Sequence, residues 1–194
     1  MMLSVLRKKP KLITDPYPHF VIEDALDDKI YDQLEAEWPK EQLLSTRPFD
    51  GGICYRLKAE RVSPLWKEFT KYHTSADFYK EMKSVFGDLM PHVDNIENNL
   101  SPRGWDKGKD WIGTDCQTVM HKPVDFSSRT PHIDNPREIY AALLYMPYAD
   151  DQSTGGEFQL HENKHDIHEV NKNGGRAVGE LAGEIIKTVP YKRN

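Results

Sequence analysis

The chain has only two cysteines, Cys54 and Cys116, far apart and in unrelated contexts. Two such residues cannot build a disulfide framework, and by themselves they do not make a zinc site. Their scarcity points to a reducing, cytoplasmic compartment. No apolar run approaches the roughly 20 residues that a membrane-spanning helix requires. The opening residues lack the order of a signal peptide, because Arg7, Lys8, Lys9 and Lys11 follow the apolar positions instead of preceding them. Positive charge is not in surplus. Lys and Arg number 26 against 31 Asp and Glu, a formal charge of −5, so the basic footprint of a nucleic-acid-binding protein is absent. The cations are scattered among acids and read as a solvated mixed surface. Internal repeats and low-complexity segments are also missing.

What is present suits a single globular domain of 194 residues, 38% hydrophobic and 10% aromatic. Residues 1–112 read as a helical flank with early strands. Pro18–Asp24 (PHFVIED) suggests a short strand. Asp27–Trp38 suggests a helix, since Ile30, Leu34 and Trp38 fall four apart on one face, and Pro39 ends it. Ser63-Pro64 has the form of an N-cap followed by proline at the first helical position, opening a helix through Trp66 and Phe69. Ser75 is a second candidate cap, with Phe78, Met82, Val85 and Phe86 as the inner stripe. Residues 91–112 are rich in Asn, Asp, Gly and Pro and read as an irregular loop or lid.

From residue 113 the pattern changes to strands. Thr114–His121 alternates loosely, Ile139–Met146 (IYAALLYM) is almost continuously apolar, as in a strand buried on both faces, and Gly156–His161 follows a Gly-Gly turn. Helices first and strands second suggest a jelly roll over 113–194, with the helices packed outside it. Within that segment lies Thr130-Pro131-His132-Ile133-Asp134-Asn135-Pro136. In a strand residues i and i+2 point to the same face, so His132 and Asp134 would project together while Ile133 packs the other way. An imidazole beside a carboxylate supplies two corners of the two-His, one-carboxylate facial triad that suits non-haem Fe(II). A lone His-x-Asp also occurs as a surface ion pair or turn, so the flanking segments matter.

Those segments are the Asn-Pro after Asp134, the apolar strand ending Tyr145-Met146, an acidic loop, and then Gly155-Gly156-Glu157. In this order they resemble the prolyl-hydroxylase-like group of Fe(II)- and 2-oxoglutarate-dependent dioxygenases, including bacterial and phage members. The opening Tyr17–Asp24 looks like the entry segment of that group. The resemblance covers roughly residues 17–194 and is strongest over 116–161.

It implies a mainly β fold with flanking helices, a double-stranded β-helix of cupin-like type. His132 and Asp134 match the two proximal iron ligands and carry the catalytic role. Tyr145 matches a strand tyrosine lining the 2-oxoglutarate pocket; its alternative is a core tyrosine. Lys122 stands where relatives often have a tyrosine that reaches the cosubstrate, so either Lys122 meets a carboxylate by charge or that contact is lost. Gly155 and Gly156 permit a tight turn, and Glu157 reads as an acid of the strand surface. The implied reaction hydroxylates a small-molecule or peptide substrate, a prolyl or other amino-acid side chain among the candidates, with oxidative decarboxylation of 2-oxoglutarate.

The family pattern also requires a distal histidine late in the domain, followed by a basic residue for the far carboxylate of 2-oxoglutarate. No such pair is evident. Ile185–Asn194 (IIKTVPYKRN) looks like the run-up to that histidine's strand, so the expectation is a barrel incomplete at its C-terminal end, little activity alone, and pairing of chains as a homodimer over the exposed edge. His161, His165 and His168 share a face at helical spacing; they are read as surface histidines, with one as an iron ligand or all as another metal site kept open. Two other functions stay open: a cupin-like binding or isomerase domain without oxygen chemistry, and a catalytically incomplete oxygenase fragment.

Overall fold

The computed structural model describes residues 3–48, 54–57, 61–102, 111–121, 131–132, 134, 138–163 and 182–193. The helices lie early in the chain. α1 (Asp28–Ala36) starts where the Asp27 carboxylate accepts the Lys29 amide, and it buries Ile30, Tyr31 and Leu34. Trp38, beyond its end, turns its ring edge-on to Trp66 with centroids 5.3 Å apart. α2 (Lys40–Leu44) is one short turn that buries Leu43. α3 (Pro64–His73) is capped by Ser63, whose hydroxyl accepts the Trp66 amide, with proline in its first turn. α4 (Ala76–Phe86) is capped in the same way by Ser75 on the Phe78 amide. Each cap satisfies an amide that the first helical turn leaves without an intrahelical acceptor. Gly87, at φ +58°, ends α4 where a side chain would be strained.

Two apolar clusters organise the described residues. The first joins α1, α3 and the strand β1 (Cys54–Leu57) through Leu26, Tyr31, Leu34, Leu43, Leu57, Trp66 and Phe69. The Trp66 indole N–H donates to the Leu34 carbonyl over 2.9 Å, so the one polar atom of the ring is paired inside that cluster. The second gathers Phe78, Tyr79, Met82, Met90 and Ile96. Val5 and Tyr72 touch both clusters. His73 stacks on Phe69 and Phe78 between them.

The described strands pair in twos. β1 runs antiparallel to β4 (Thr118–His121), with Cys54 opposite His121 and Leu57 opposite Thr118. In β4, Thr118 is buried and Met120 packs on the first cluster, while Val119 and His121 face outward, the period of a half-buried strand. β2 (Leu100–Pro102) and β3 (Ile112–Thr114) pair in parallel and α5 (Ile96–Asn99) precedes β2, so the segment 91–112, read as an irregular loop, contains a helical turn and strand structure. β5 (Phe158–Asn163) and β6 (Ala182–Val189) pair antiparallel with two register shifts around His161. Such irregularities bend a ladder locally.

Three further readings differ from the structure. Pro18–Asp24 forms no strand; among the described residues His19 makes an isolated bridge to Ile13. Thr114–His121 is not one strand: Thr114 ends β3, residues 115–117 are irregular, and Thr118–His121 is β4, which belongs to a different pair. Ile139–Met146 is without a ladder, and its apolar side chains divide: Ile139 and Tyr140 pack on the second cluster, Leu144 and Met146 on the first, and Leu143 is 68% exposed. Here apolarity serves two cores rather than a sheet, which a run of hydrophobic letters cannot distinguish from a buried strand. Among the described residues no helix is long and apolar enough to cross a membrane. The segments 122–130 and 164–181 of the expected jelly-roll region lie outside the described residues.

Candidate functional site

His132 and Asp134 sit in chain without regular structure, just before the segment that packs on both clusters. Their side chains turn to the same side, with His132 Nε2 3.6 Å from Asp134 Oδ1. That separation exceeds a hydrogen bond between nitrogen and oxygen. The two side chains retain 31% and 59% of their accessibility, so an ion can reach the gap between them. As a plain ion pair at this exposure the contact would contribute less than about 1 kcal/mol.

Ligand atoms held about 2.1 Å from one ion are about 3 Å apart at right angles and at most about 4.2 Å apart. The observed 3.6 Å lies inside that range but about 0.6 Å beyond the right-angle spacing of a facial site, so the pair would close slightly on an ion; an imidazole with a carboxylate suits divalent iron. The pair therefore fits two positions of one ion. Among the described residues no third His, Cys, Asp or Glu joins them.

Tyr145 is placed by alternation in an extended segment. Leu144 and Met146 pack on the first cluster, whereas the Tyr145 ring meets Tyr191 edge-on, centroids 5.1 Å apart at 88°. Burial pushes the Tyr145 hydroxyl above its ordinary pKa, and the Glu157 charge adds to the shift. Tyr191 is pushed up to about 12, first by burial and then by Asp151, whose carboxylate accepts its hydroxyl over 3.4 Å. Both phenols are thus neutral donors at ordinary pH. The Gly-Gly turn has φ of +87° at Gly155 and +80° at Gly156, and a Cβ on Gly156 would lie 3.2 Å from Tyr191 Cγ. The glycine therefore serves both the backbone and the close approach of the tyrosine.

His161 lies in β5. Its Nδ1 is 3.2 Å from the Gly183 carbonyl and its own carbonyl accepts the Tyr17 hydroxyl. His161 is not grouped with His132 and Asp134. Lys122, His165 and His168 lie outside the described residues. Tyr191 and Asp151 were not singled out from the sequence. Tyr191 follows β6 in a polar run, and nothing local reveals that it reaches back to Tyr145.

Comparison with family models, with curated proteins and with solved structures finds no match.

Proposed function

We propose that the chain is an Fe(II)- and 2-oxoglutarate-dependent oxygenase that hydroxylates a small-molecule or peptide substrate on a double-stranded β-helix core. The observation that carries this reading is the approach of His132 Nε2 to Asp134 Oδ1 at 3.6 Å in a position open to solvent. It is supported by the order His-x-Asp-Asn-Pro, apolar segment, Gly-Gly-Glu in the sequence. His132 holds the ion through Nε2, which requires a neutral imidazole with its proton on Nδ1. Asp134 supplies a carboxylate oxygen and one negative charge. Iron, when bound, supplies the activation of dioxygen coupled to decarboxylation of 2-oxoglutarate. Tyr145 offers the cosubstrate a neutral hydroxyl; Lys122 either meets its carboxylate by charge or leaves that contact unmade.

The two-donor set also favours a second reading, a cupin-like binding or isomerase domain or a catalytically incomplete oxygenase, which keeps the pair without oxygen chemistry. One experiment separates them. The purified chain is loaded anaerobically with Fe(II), bound iron is measured per chain, and succinate is followed in air with 2-oxoglutarate. The oxygenase reading expects iron bound near one per chain and succinate formation, both lost in His132→Ala and Asp134→Ala. Iron binding without succinate supports the second reading. Iron binding unchanged in both variants overturns the site.

A further inference from the structure

The residues after β6 are tied down by more interactions than an exposed run of this composition needs. Arg193 reaches back to α1, where its guanidinium meets Asp32 at 2.5 Å and Glu35, and lies over the Tyr31 ring at 4.3 Å. Lys192 pairs with Glu23 at 2.5 Å. Glu35 is the busiest of these partners, because its other oxygen accepts the Ala149 amide over 3.1 Å, and its side chain is only 18% exposed. The Tyr31 hydroxyl in turn donates to the Pro147 carbonyl over 3.4 Å. One face of α1 therefore holds two separate pieces of chain: the turn that follows Tyr145 and the segment that carries Tyr191.

Tyr191 closes the arrangement. Its ring is edge-on to Tyr145, its hydroxyl donates to Asp151, and it covers the Cα of Gly156. Tyr145 is the only member of the proposed cosubstrate site with an aromatic ring to orient, and its hydroxyl has no hydrogen-bond partner among the described residues. Held from one side by Leu144 and Met146 on the first cluster, it is held from the other by Tyr191.

We propose that residues 191–193 form a strap, latched on α1 by Arg193, and that Tyr191 is a positioning residue which sets the orientation of Tyr145 toward 2-oxoglutarate. The strap stands on the contacts above; the positioning role rests on the oxygenase reading. An edge-on aromatic pair is worth up to about tenfold in an equilibrium constant. The latch consists of a largely exposed pair with Asp32 and a more sheltered one with Glu35 beside one cation–π contact, so salt screens part of it.

The test uses the full chain and the variants Tyr191→Ala, Tyr191→Phe and Arg193→Ala, each checked for folding by circular dichroism. Amide hydrogen exchange over 145–156 reads the strap, and calorimetry of the Fe(II)-loaded chain with 2-oxoglutarate reads the positioning. Exchange over 145–156 should quicken in Tyr191→Ala and Arg193→Ala and stay near wild type in Tyr191→Phe, which keeps the ring. The affinity for 2-oxoglutarate should fall by about tenfold in Tyr191→Ala and recover in Tyr191→Phe, with iron content unchanged in both. Wild-type exchange in both Tyr191→Ala and Arg193→Ala overturns the strap. Faster exchange with unchanged affinity overturns the positioning role. A wild-type chain that binds iron but no 2-oxoglutarate overturns the oxygenase reading and the positioning role with it, while the exchange measurement still decides the strap.

Discussion

Single residues in this protein are constrained by what lies against them more than by their type. Cys116 is an example. Burial, with the Asp115 charge adding to it, pushes its thiol up to about 11. Since the thiolate is the nucleophile, Cys116 in the folded chain should alkylate far more slowly than a free cysteine at mildly alkaline pH. Mass spectrometry after iodoacetamide treatment, with and without urea, checks this; equal labelling in both would refute it. Gly156 is constrained through its backbone. At φ +80° an alanine costs about 1–2 kcal/mol, and the added methyl would press on Tyr191. Gly156→Ala should lower the urea midpoint and, through Tyr191, quicken exchange around Tyr145. The paired glycines were legible as a place where the backbone needs freedom, which their positive φ values show, but the tyrosine above them was not, because the contact joins segments 35 positions apart.

At the scale of elements, the sequence spoke clearly wherever one element's own letters decide its start and its buried face. Ser63 and Ser75 cap α3 and α4 by the same serine-to-amide bond, and replacing either with alanine should cost about 1 kcal/mol. Chemical denaturation of Ser63→Ala and Ser75→Ala measures that cost; no loss in either would mean the caps are redundant. The strands were less legible, since pairing partners lie far off in the chain and a strand's register depends on both. β1 was not foreseen at all, although it is the partner of β4 and contributes Leu57 to the first cluster. For the candidate site the i, i+2 spacing was read as strand geometry; His132 and Asp134 lie 3.6 Å apart, but in chain without regular structure, so the alternation of a strand is not what brings them together. The position of any further ligand depends on the path of the whole chain, which no local pattern carries.

The same helices give a pH dependence. His73 closes α3 with Nδ1 on the Phe69 carbonyl at 2.8 Å, so that nitrogen carries the proton, and Nε2 accepts the Val5 amide at 3.3 Å. Burial holds its pKa below the usual histidine value, against the raising influences of the Phe69 carbonyl and Glu81. The unfolded chain therefore takes up a proton at higher pH than the folded one. Stability from this group is complete above the unfolded histidine pKa of about 6.5 and is lost as pH falls below it. Protonation also removes the acceptor for Val5. Urea midpoints should drop between about pH 7.5 and about pH 5, and the drop should shrink in His73→Gln. A midpoint that is flat across this interval would contradict the assignment.

For the molecule as a whole, the question is whether its two apolar clusters form one cooperative unit. The segment that joins them is Leu3–Leu6. Leu3 is buried in the first cluster, Val5 touches both, and Leu6 packs on the second. The segment is held by polar groups at the helix pair: Glu81 accepts the Ser4 hydroxyl and, over 2.6 Å, the Tyr72 hydroxyl, and His73 accepts the Val5 amide. Tyr72 is pushed up to about 12 by burial and by Glu81, so it stays a donor throughout the neutral range. Glu81 is thus the carboxylate on which the junction turns. A hydrogen bond to a charged group contributes about 1.5–3 kcal/mol, and both donors lose their acceptor together in Glu81→Ala. The substitution should therefore cost more than about 2 kcal/mol, and its more telling effect should be on cooperativity. With the joint released, α3 and α4 keep their own caps, but the first cluster loses the segment that ties it to the second. Hydrogen exchange at Leu34 and Phe69 reads the first cluster, and exchange at Tyr79 and Met82 reads the second. In the wild type the two should give one transition, and in Glu81→Ala they should separate, the second cluster opening at lower denaturant. Coincident transitions in the variant would show that direct apolar packing through Val5 and Tyr72 suffices to couple the clusters without the carboxylate.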